Sequence, residues 1–488
     1  MAGRGNDGTG ARLVLGPERR RAENGADYPV FEPSRGREQW RAPLASAADV
    51  DEAVEWARRA TGEWDALGAR GRSDCARAFA AAVRGEAEEL ALLDARNTGS
   101  PIEGHRHGVR SGADRLEYFA GLTLELGGRT IPASRTGFHF TTRVPFGVAA
   151  VITAFNHPAT FATGRTAGLL LAGNTIVCKP AEQTPLSSLR IGEIAQQHLP
   201  AGVFNVVSGG AATGGALVRH RDVRYVSFTG SVPTALRIQQ DAAQSGHIKR
   251  FGFELGGKNP LIILPDVPLE RAVDAAIRGM NLPVVGQSCG STSRLFVHAD
   301  VHADVVEGIA ERMAALRFGW PEEAGTELGS LVSSPQRDRV ESYVAAGRAD
   351  GARLVCGGER ATEHPFVNGY YYRPTLFDRV DPHMKIAQEE IFGPVLSVIR
   401  WSDESEMMRA VNGVGYGLTA SIYTNDLAAA HRIIRHVEAG YIWVNEVGPH
   451  YTGLPFGGLK NSGMGNENSM EAFMAATLPK SVHMNFSD

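Results

Sequence analysis

The sequence predicts an α/β protein with two doubly wound, mostly parallel sheets and a small separate β element, and three observations carry that expectation. Before residue 256, short β-branched runs alternate with helix-period stretches, the signature of consecutive βαβ units. The alternation resumes with PLIIL (Pro260–Leu264), a helix over Leu269–Met280 and SRLFVH (Ser293–His298), which predicts a second α/β domain. Near the C-terminus KSVHMNF (Lys480–Phe486) alternates apolar and polar residues with no strand adjacent in sequence, so its partner is a distant segment or another subunit. A chain of 488 residues, 43% apolar and 21% charged, is long enough for such a multidomain core.

Taken in order, residues 1–12 are Gly, Arg, Asn and Asp, too polar to offset their ordering entropy, and a mobile tail is expected there. Apolar residues three and four apart predict amphipathic scaffold helices over Ser46–Leu67 and Ser73–Thr98. RVPFGVAAVITAFNHP (Arg143–Pro158) predicts a buried strand that ends in a polar loop at Asn156. Helix over Ala159–Ala172, strand in GNTIVCKP (Gly173–Pro180), helix over Ser187–His198, strand in FNVVSG (Phe204–Gly209), a further helix and strand in YVSFTGS (Tyr225–Ser231) complete the first series.

Fifty Lys and Arg against 54 Asp and Glu leave a net charge of −4, which gives no basic field to gather nucleic acid or anionic lipid. No uninterrupted apolar run approaches membrane-spanning length, and the N-terminus has no apolar signal core, so a non-membrane, cytoplasmic protein is expected. Cys75, Cys178, Cys289 and Cys356 are too scattered for a redox pair or a metal ribbon, and no metal site is expected. Only six basic residues are Lys, so each invites a chemical reason.

Cys289 stands in GQSCGSTSR (Gly286–Arg294), among small residues just before a strand, where a thiol can face a cleft. An isolated Cys usually just packs, but these neighbours bury it poorly. In FELGGKNP (Phe253–Pro260), Glu254 closes a strand-like run, and a carboxyl in an apolar setting has the raised pKa of a general base; the plainer reading is a solvated loop Glu. KPAEQTP places the Lys179 ammonium three residues from the Glu182 carboxylate behind a strand, a pair suited to a diol and a phosphate. FTGS (Phe228–Ser231) ends a strand and opens a helix whose N–H groups can meet a pyrophosphate. GVGYG (Gly413–Gly417) follows a helix and precedes a strand, the wrong order for a dinucleotide loop.

Together and in this order, AFNHP, GNTIVCKPAEQTP, FTGS, FELGGKNP, GQSC, EEIFGPV (Glu389–Val395) and PFGGLKNSGMG (Pro455–Gly465) resemble the aldehyde dehydrogenase superfamily from about residue 28 to the C-terminus. The resemblance implies an aldehyde-dehydrogenase-like fold: a dinucleotide-binding domain over 13–124 and 145–256, a catalytic domain over 257–455, and an oligomerisation element over 125–144 and 472–488. It implies Cys289 as nucleophile, Glu254 as general base, and Asn156 with the Cys289 backbone N–H as oxyanion hole. It further implies NAD as cofactor, NADP less so, held by Lys179, Glu182, Phe228, Gly230, Ser231, Leu255, Glu390 and Phe392, in a homodimer or homotetramer acting on a small-molecule aldehyde.

The chain departs from the family pattern in three places. Phe155 replaces the usual Trp before the oxyanion Asn, and Ala235 replaces the last Gly of the pattern that follows FTGS. Glu254 and Cys289 lie 35 positions apart, one more than in common members, with the extra residue expected in NLPVV (Asn281–Val285). Motif alignment puts His157, Thr160, Phe161, Gly164, Ser288 and Gly290 along the substrate tunnel and His450, Tyr451 and Phe456 at its mouth. With no Arg or Lys in these segments and Gly164 where many members carry a ring, the expected substrate is a bulky uncharged aldehyde, aromatic or long-chain, in a tunnel widened at Gly164. The alternatives are a CoA-acylating member, which would lack the base Glu, and a catalytically silent protein of the same fold.

Overall fold

The computed structural model describes residues 10–486. Two large sheets form the frame. The first runs Glu18–Arg20, Leu13–Leu15, Phe204–Val206, Thr175–Lys179, Val148–Ile152, Val223–Thr229, Arg250–Glu254, Gly463–Met464. Its five inner strands are parallel, and the flanking pairings are antiparallel. From Val148–Ile152 the chain adds strands first on one side and then, from Val223, on the other. This reversal creates a crevice beyond the carboxyl ends of the strands, the place where α/β sheets bind ligands. Burial on both faces explains why VAAVI, and IVC within TIVCK, are continuous apolar runs and not alternating ones.

The second sheet runs Arg353–Cys356, Thr375–Asp378, Val395–Trp401, Arg294–His298, Pro260–Ile263, Thr419–Tyr423, Tyr441–Val444, parallel except for its first pair. The segment Phe253–Pro260 leaves the last parallel strand of the first sheet and enters the second, so the Glu254 strand end faces the loop that precedes Arg294. The doubly wound α/β expectation holds for both sheets.

The distant partner of the C-terminal strand is within the chain: Thr477–Asn485 pairs antiparallel with Gly137–Pro145 along nine positions. Consequently the expected strand beginning at Arg143 is two elements. Gly147, with φ of 101°, turns the chain between the ribbon strand and Val148–Ile152. The helical stretch expected over Ser73–Thr98 likewise divides, into Gly68–Gly85 and Ala87–Thr98, because Glu86 leaves helical geometry. Helix Ala47–Ala66 starts as its sequence implies, with Ser46 and Asp49 in a reciprocal capping box. Residues 1–9 of the expected tail lie outside the described residues, while Ala11 already packs against buried side chains. Among the described residues no helix is long and apolar enough to cross a membrane.

One helix pair matters for the site. Helix Ile102–Leu122 packs on the helix that begins at Pro158 through Gly108 and Gly112, where a Cβ would stand 2.5 Å from Thr160 Oγ1 and 2.0 Å from Thr163 Oγ1 respectively. The partner helix contains a π-turn over Phe161–Arg165, a feature common at functional sites.

Candidate active site

Four parallel strands deliver functional side chains at their carboxyl ends. Val148–Ile152 leads to Asn156, Thr175–Lys179 to Lys179 and Glu182, Val223–Thr229 to Gly230 and Ser231, and Arg250–Glu254 to Glu254 itself. The Asn156 amide is buried and donates one N–H to the Gln287 carbonyl at 2.9 Å, which ties it to the loop carrying Cys289 and leaves its second N–H for a ligand. That loop is pinned from below: Asn259 Nδ2 donates to the carbonyls of Cys289 and Ser291 at 2.6 and 2.9 Å. Ser288 Oγ accepts from Asn281 Nδ2 at 3.1 Å and from the Gly290 N–H at 3.3 Å. The NLPVV stretch, where the extra residue is expected, is also where the backbone is strained. Asn281 and Val285 both adopt left-handed φ, 53° and 56°, an uncommon state for a β-branched residue.

Cys289 is half-buried against the ring cluster of Tyr441, Trp443 and Phe456. Burial, with the carboxyls of Glu254 and Glu390 nearby, pushes its thiol up to about 12. Burial also raises Glu254 to about 8, partly opposed by the Arg165 guanidinium, and Glu254 Oε2 has no hydrogen-bond partner. An unpartnered carboxyl beside a thiol is poised to take a proton from a third molecule.

The eight residues expected at a cofactor line one cleft of about 820 Å³, together with Asn156, Glu254 and Cys289. Lys179 Nζ donates to the Pro180 carbonyl at 3.0 Å; burial lowers it to about 8, against the attraction of the Glu182 carboxylate. Small residues shape the floor: a Cβ on Gly210 would stand 2.5 Å from Glu182 Oε2, and one on Gly230 would stand 2.4 Å from the Phe228 ring. Ser231 precedes helix Val232–Gln244, whose N-terminal N–H groups open onto the cleft, and Ala235 is buried in the core beside Ile238 and Ala242. Leu255 completes this wall. Across the cleft Glu390 Oε1 accepts from the Gly257 N–H at 3.0 Å, and burial raises its carboxyl to about 7. Phe392 sits at a φ of 60°, held by Gln336 Nε2 donating to its carbonyl at 2.8 Å, with its ring edge-on to Phe155 at 5.5 Å. The ring at position 155 therefore has a packing role against the cofactor wall.

On the opposite side of Cys289, His157 is edge-on to Phe161 at 5.8 Å, while His450 stacks on Trp443 and lies 4.4 Å from Phe456. Packing at His157, ring contacts at the more exposed His450, and the Arg115 cation beside both hold the two imidazoles below their usual range, so each is neutral at pH 7. Tyr451 turns its hydroxyl to the Glu446 carboxylate at 3.0 Å. Two expectations need correction. The space at Gly164 is filled: a Cβ there would stand 2.9 Å from Arg115 Cδ and 3.0 Å from its Nη1. The Arg115 cation of helix Ile102–Leu122 thus stands near His157 and His450, so the absence of Arg and Lys from the segments expected at the tunnel no longer argues for an uncharged substrate.

Sequence reasoning missed Arg115, Arg165 and Glu467. Arg165 forms an ion pair with Glu467, donates from Nε to Thr229 Oγ1 at 2.8 Å, and attracts both Glu254 and Cys289 electrostatically. Arg165 closes the π-turn over Phe161–Arg165, a local geometry that helical periodicity in the sequence does not announce.

The fold and this geometry define a class: a doubly wound α/β protein in which a ligand-sized crevice at the strand reversal faces a thiol, a buried carboxyl and a free amide donor. The chain matches the Aldehyde dehydrogenase family over residues 20–482. It is 44% identical over 463 residues to the aldehyde dehydrogenase tropH of Talaromyces stipitatus, covering 93% of this chain and 90% of that protein. It superposes with a TM-score of 0.94 on the NAD+ complex of an aldehyde dehydrogenase from Bacillus cereus, 34% identical, covering 98% of this chain and 97% of the other. Betaine aldehyde dehydrogenase of Staphylococcus aureus in complex with NAD+ gives a TM-score of 0.95 at 30% identity, covering 98% and 95% of the two chains. The protein belongs to the aldehyde dehydrogenase family.

Proposed function

We propose that the protein oxidises an aldehyde to a carboxylic acid with NAD, through a thiohemiacetal and then a thioester on Cys289. The observation that carries this reading is the meeting of Cys289, Asn156 and Glu254 at one end of a cleft otherwise lined by the cofactor-type residues. Cys289 Sγ adds to the carbonyl carbon as its proton passes to the Glu254 carboxylate, which releases it to solvent before the second half of the reaction, and the new oxyanion is met by the free Asn156 N–H and the Cys289 backbone N–H. NAD in the cleft supplies the acceptor for the hydride that leaves as the thiohemiacetal collapses. Glu254 then takes a proton from water, the water oxygen adds to the thioester, and the carboxylic acid leaves as Cys289 Sγ regains its electron pair. The presence of Glu254 favours water over CoA as acyl acceptor, and the complete set of groups favours an enzyme over a silent binding protein. The Gly137–Pro145 and Thr477–Asn485 ribbon exposes Phe138, Met484 and Phe486, which fits an edge that pairs with further copies. The domain limits expected from the sequence belong to the same proposal, except that Gly463–Met464 extends the first sheet.

Lys179, Glu182, Ser231 and Glu390 would hold the cofactor: the ammonium and carboxylate at its sugar hydroxyls, the helix N-terminus at its phosphates. A carboxylate at Glu182 accepts hydrogen bonds from ribose hydroxyls and repels a 2′-phosphate, so kcat/KM with NAD should exceed that with NADP by about tenfold or more. Equal values would remove Glu182 from that role. Asn156→Ala should lower kcat by about 10²-fold to 10³-fold with NAD binding retained, since only the oxyanion loses a donor. The overall reading is tested by following nicotinamide absorbance with aliphatic, aromatic, amino and acidic aldehydes; no reduction of NAD with any of them would overturn it.

A further inference from the structure

Arg115 stands in an unusual position for a cation. It lies one turn beyond Gly108 and Gly112 on the same face of helix Ile102–Leu122, in the order Gly, Gly, Arg at spacings of four and three. The two glycines bring this helix against Thr160 and Thr163, and Gly164 then receives the Arg115 side chain at the contact distances given above. The Arg115 charge is felt by His157, His450 and Arg165, and His450 packs on the Trp443 and Phe456 rings that back Cys289, so the guanidinium stands on the side of Cys289 away from the cofactor-type residues.

No negative charge answers it. Among the described residues Arg115 makes no hydrogen bond and no ion pair. Its neighbours on its own helix, Asp114 and Glu117, are both turned to Arg84. Of the groups that face it from packed elements, Arg165 is neutralised by Glu467, while His157 and His450 are uncharged imidazoles, each able to donate one N–H. Burial lowers Arg115 only to about 10, so it remains a cation at pH 7. Arg115 is partly exposed, and a guanidinium with no carboxylate partner of its own is open to one that a ligand brings.

We propose that Arg115 selects the substrate, and that the tunnel takes aldehydes carrying a second, anionic oxygen group, with the two His adding hydrogen bonds and Phe161, Trp443 and Phe456 packing on the carbon frame. This rests on the aldehyde-oxidising reading and deepens it. A carboxylate offers the two parallel acceptors that a guanidinium fork matches. The frame that carries it is either a ring or an alkyl chain, and the experiment separates the two.

With the full-length enzyme and saturating NAD, kcat/KM is compared within pairs: benzaldehyde with 3- and 4-carboxybenzaldehyde, and hexanal with 6-oxohexanoate. At least one carboxylated member should exceed its neutral partner by about tenfold or more, mainly through KM, and the pair that shows it identifies the frame. Arg115→Gln should reduce that ratio to about one, and Arg115→Lys should recover part of it because charge returns without the fork. Should the variants fail to fold, competitive inhibition of the wild type decides, with isophthalate or adipate expected to bind better than benzamide or hexanamide. Neutral aldehydes equal to or better than every carboxylated partner, or a loss in Arg115→Gln that is the same for both members of each pair, would overturn the assignment while leaving aldehyde oxidation intact. No reduction of NAD with any of these compounds would instead overturn the functional reading on which it stands.

Discussion

Cys289→Ala should lower aldehyde oxidation by more than about a hundredfold while NAD still binds, because the thiol forms the covalent bond on which both later steps depend and the cofactor rests on other residues. The measurement pairs steady-state NADH formation with a direct titration of NAD binding on the same preparation. Alanine removes only Sγ from a position already backed by Tyr441, Trp443 and Phe456, so the loop held by Asn259 should keep its shape. Turnover above about a hundredth of wild type would take Cys289 out of the nucleophile role.

Glu254→Gln should separate the two halves of the reaction. The amide keeps the shape of the side chain but cannot accept the proton of water, so a burst of about one NADH per site should be followed by turnover slowed by about 10²-fold or more. A wild-type steady-state rate in the variant would rule out Glu254 as the base. The same group sets a pH dependence. Its carboxyl is raised to about 8 by burial, and the working form is the deprotonated one. Deacylation should therefore climb about tenfold per pH unit below that value and level off above it. The burst should persist in Glu254→Gln with the deacylation limb of the profile flattened; an unchanged limb would assign it to another group.

Much of this site is legible in the sequence because its parts are local. KPAEQTP, FTGS and FELGGKNP each straddle a strand end and AFNHP follows one at once, and a strand end in a parallel sheet already places a residue at the binding edge. The residues expected at the cofactor and at the chemistry line one cleft for that reason. Where the reading of elements failed, the cause was a single backbone state that residue type did not announce: Gly147 in left-handed geometry divides one expected strand, and Glu86 divides one expected helical stretch.

By itself, then, the sequence determined the two doubly wound sheets, the family and the positions of the thiol, carboxyl and amide, all of which follow from periodicity and from motifs a few residues long. It showed too that the strand near Lys480–Phe486 needs a partner distant in the chain or in another subunit, and only the tertiary structure decided that Thr477–Asn485 pairs with Gly137–Pro145. The charge of the tunnel was likewise a tertiary decision. Arg115 is 41 positions before Asn156, on helix Ile102–Leu122, which lies beyond the stretches read as helical before the first strand. It reaches Gly164 because Gly108 and Gly112 allow two helices to approach closely and Gly164 leaves a hollow on the facing helix. Such an approach distance is a property of two surfaces meeting, and neither surface encodes it alone.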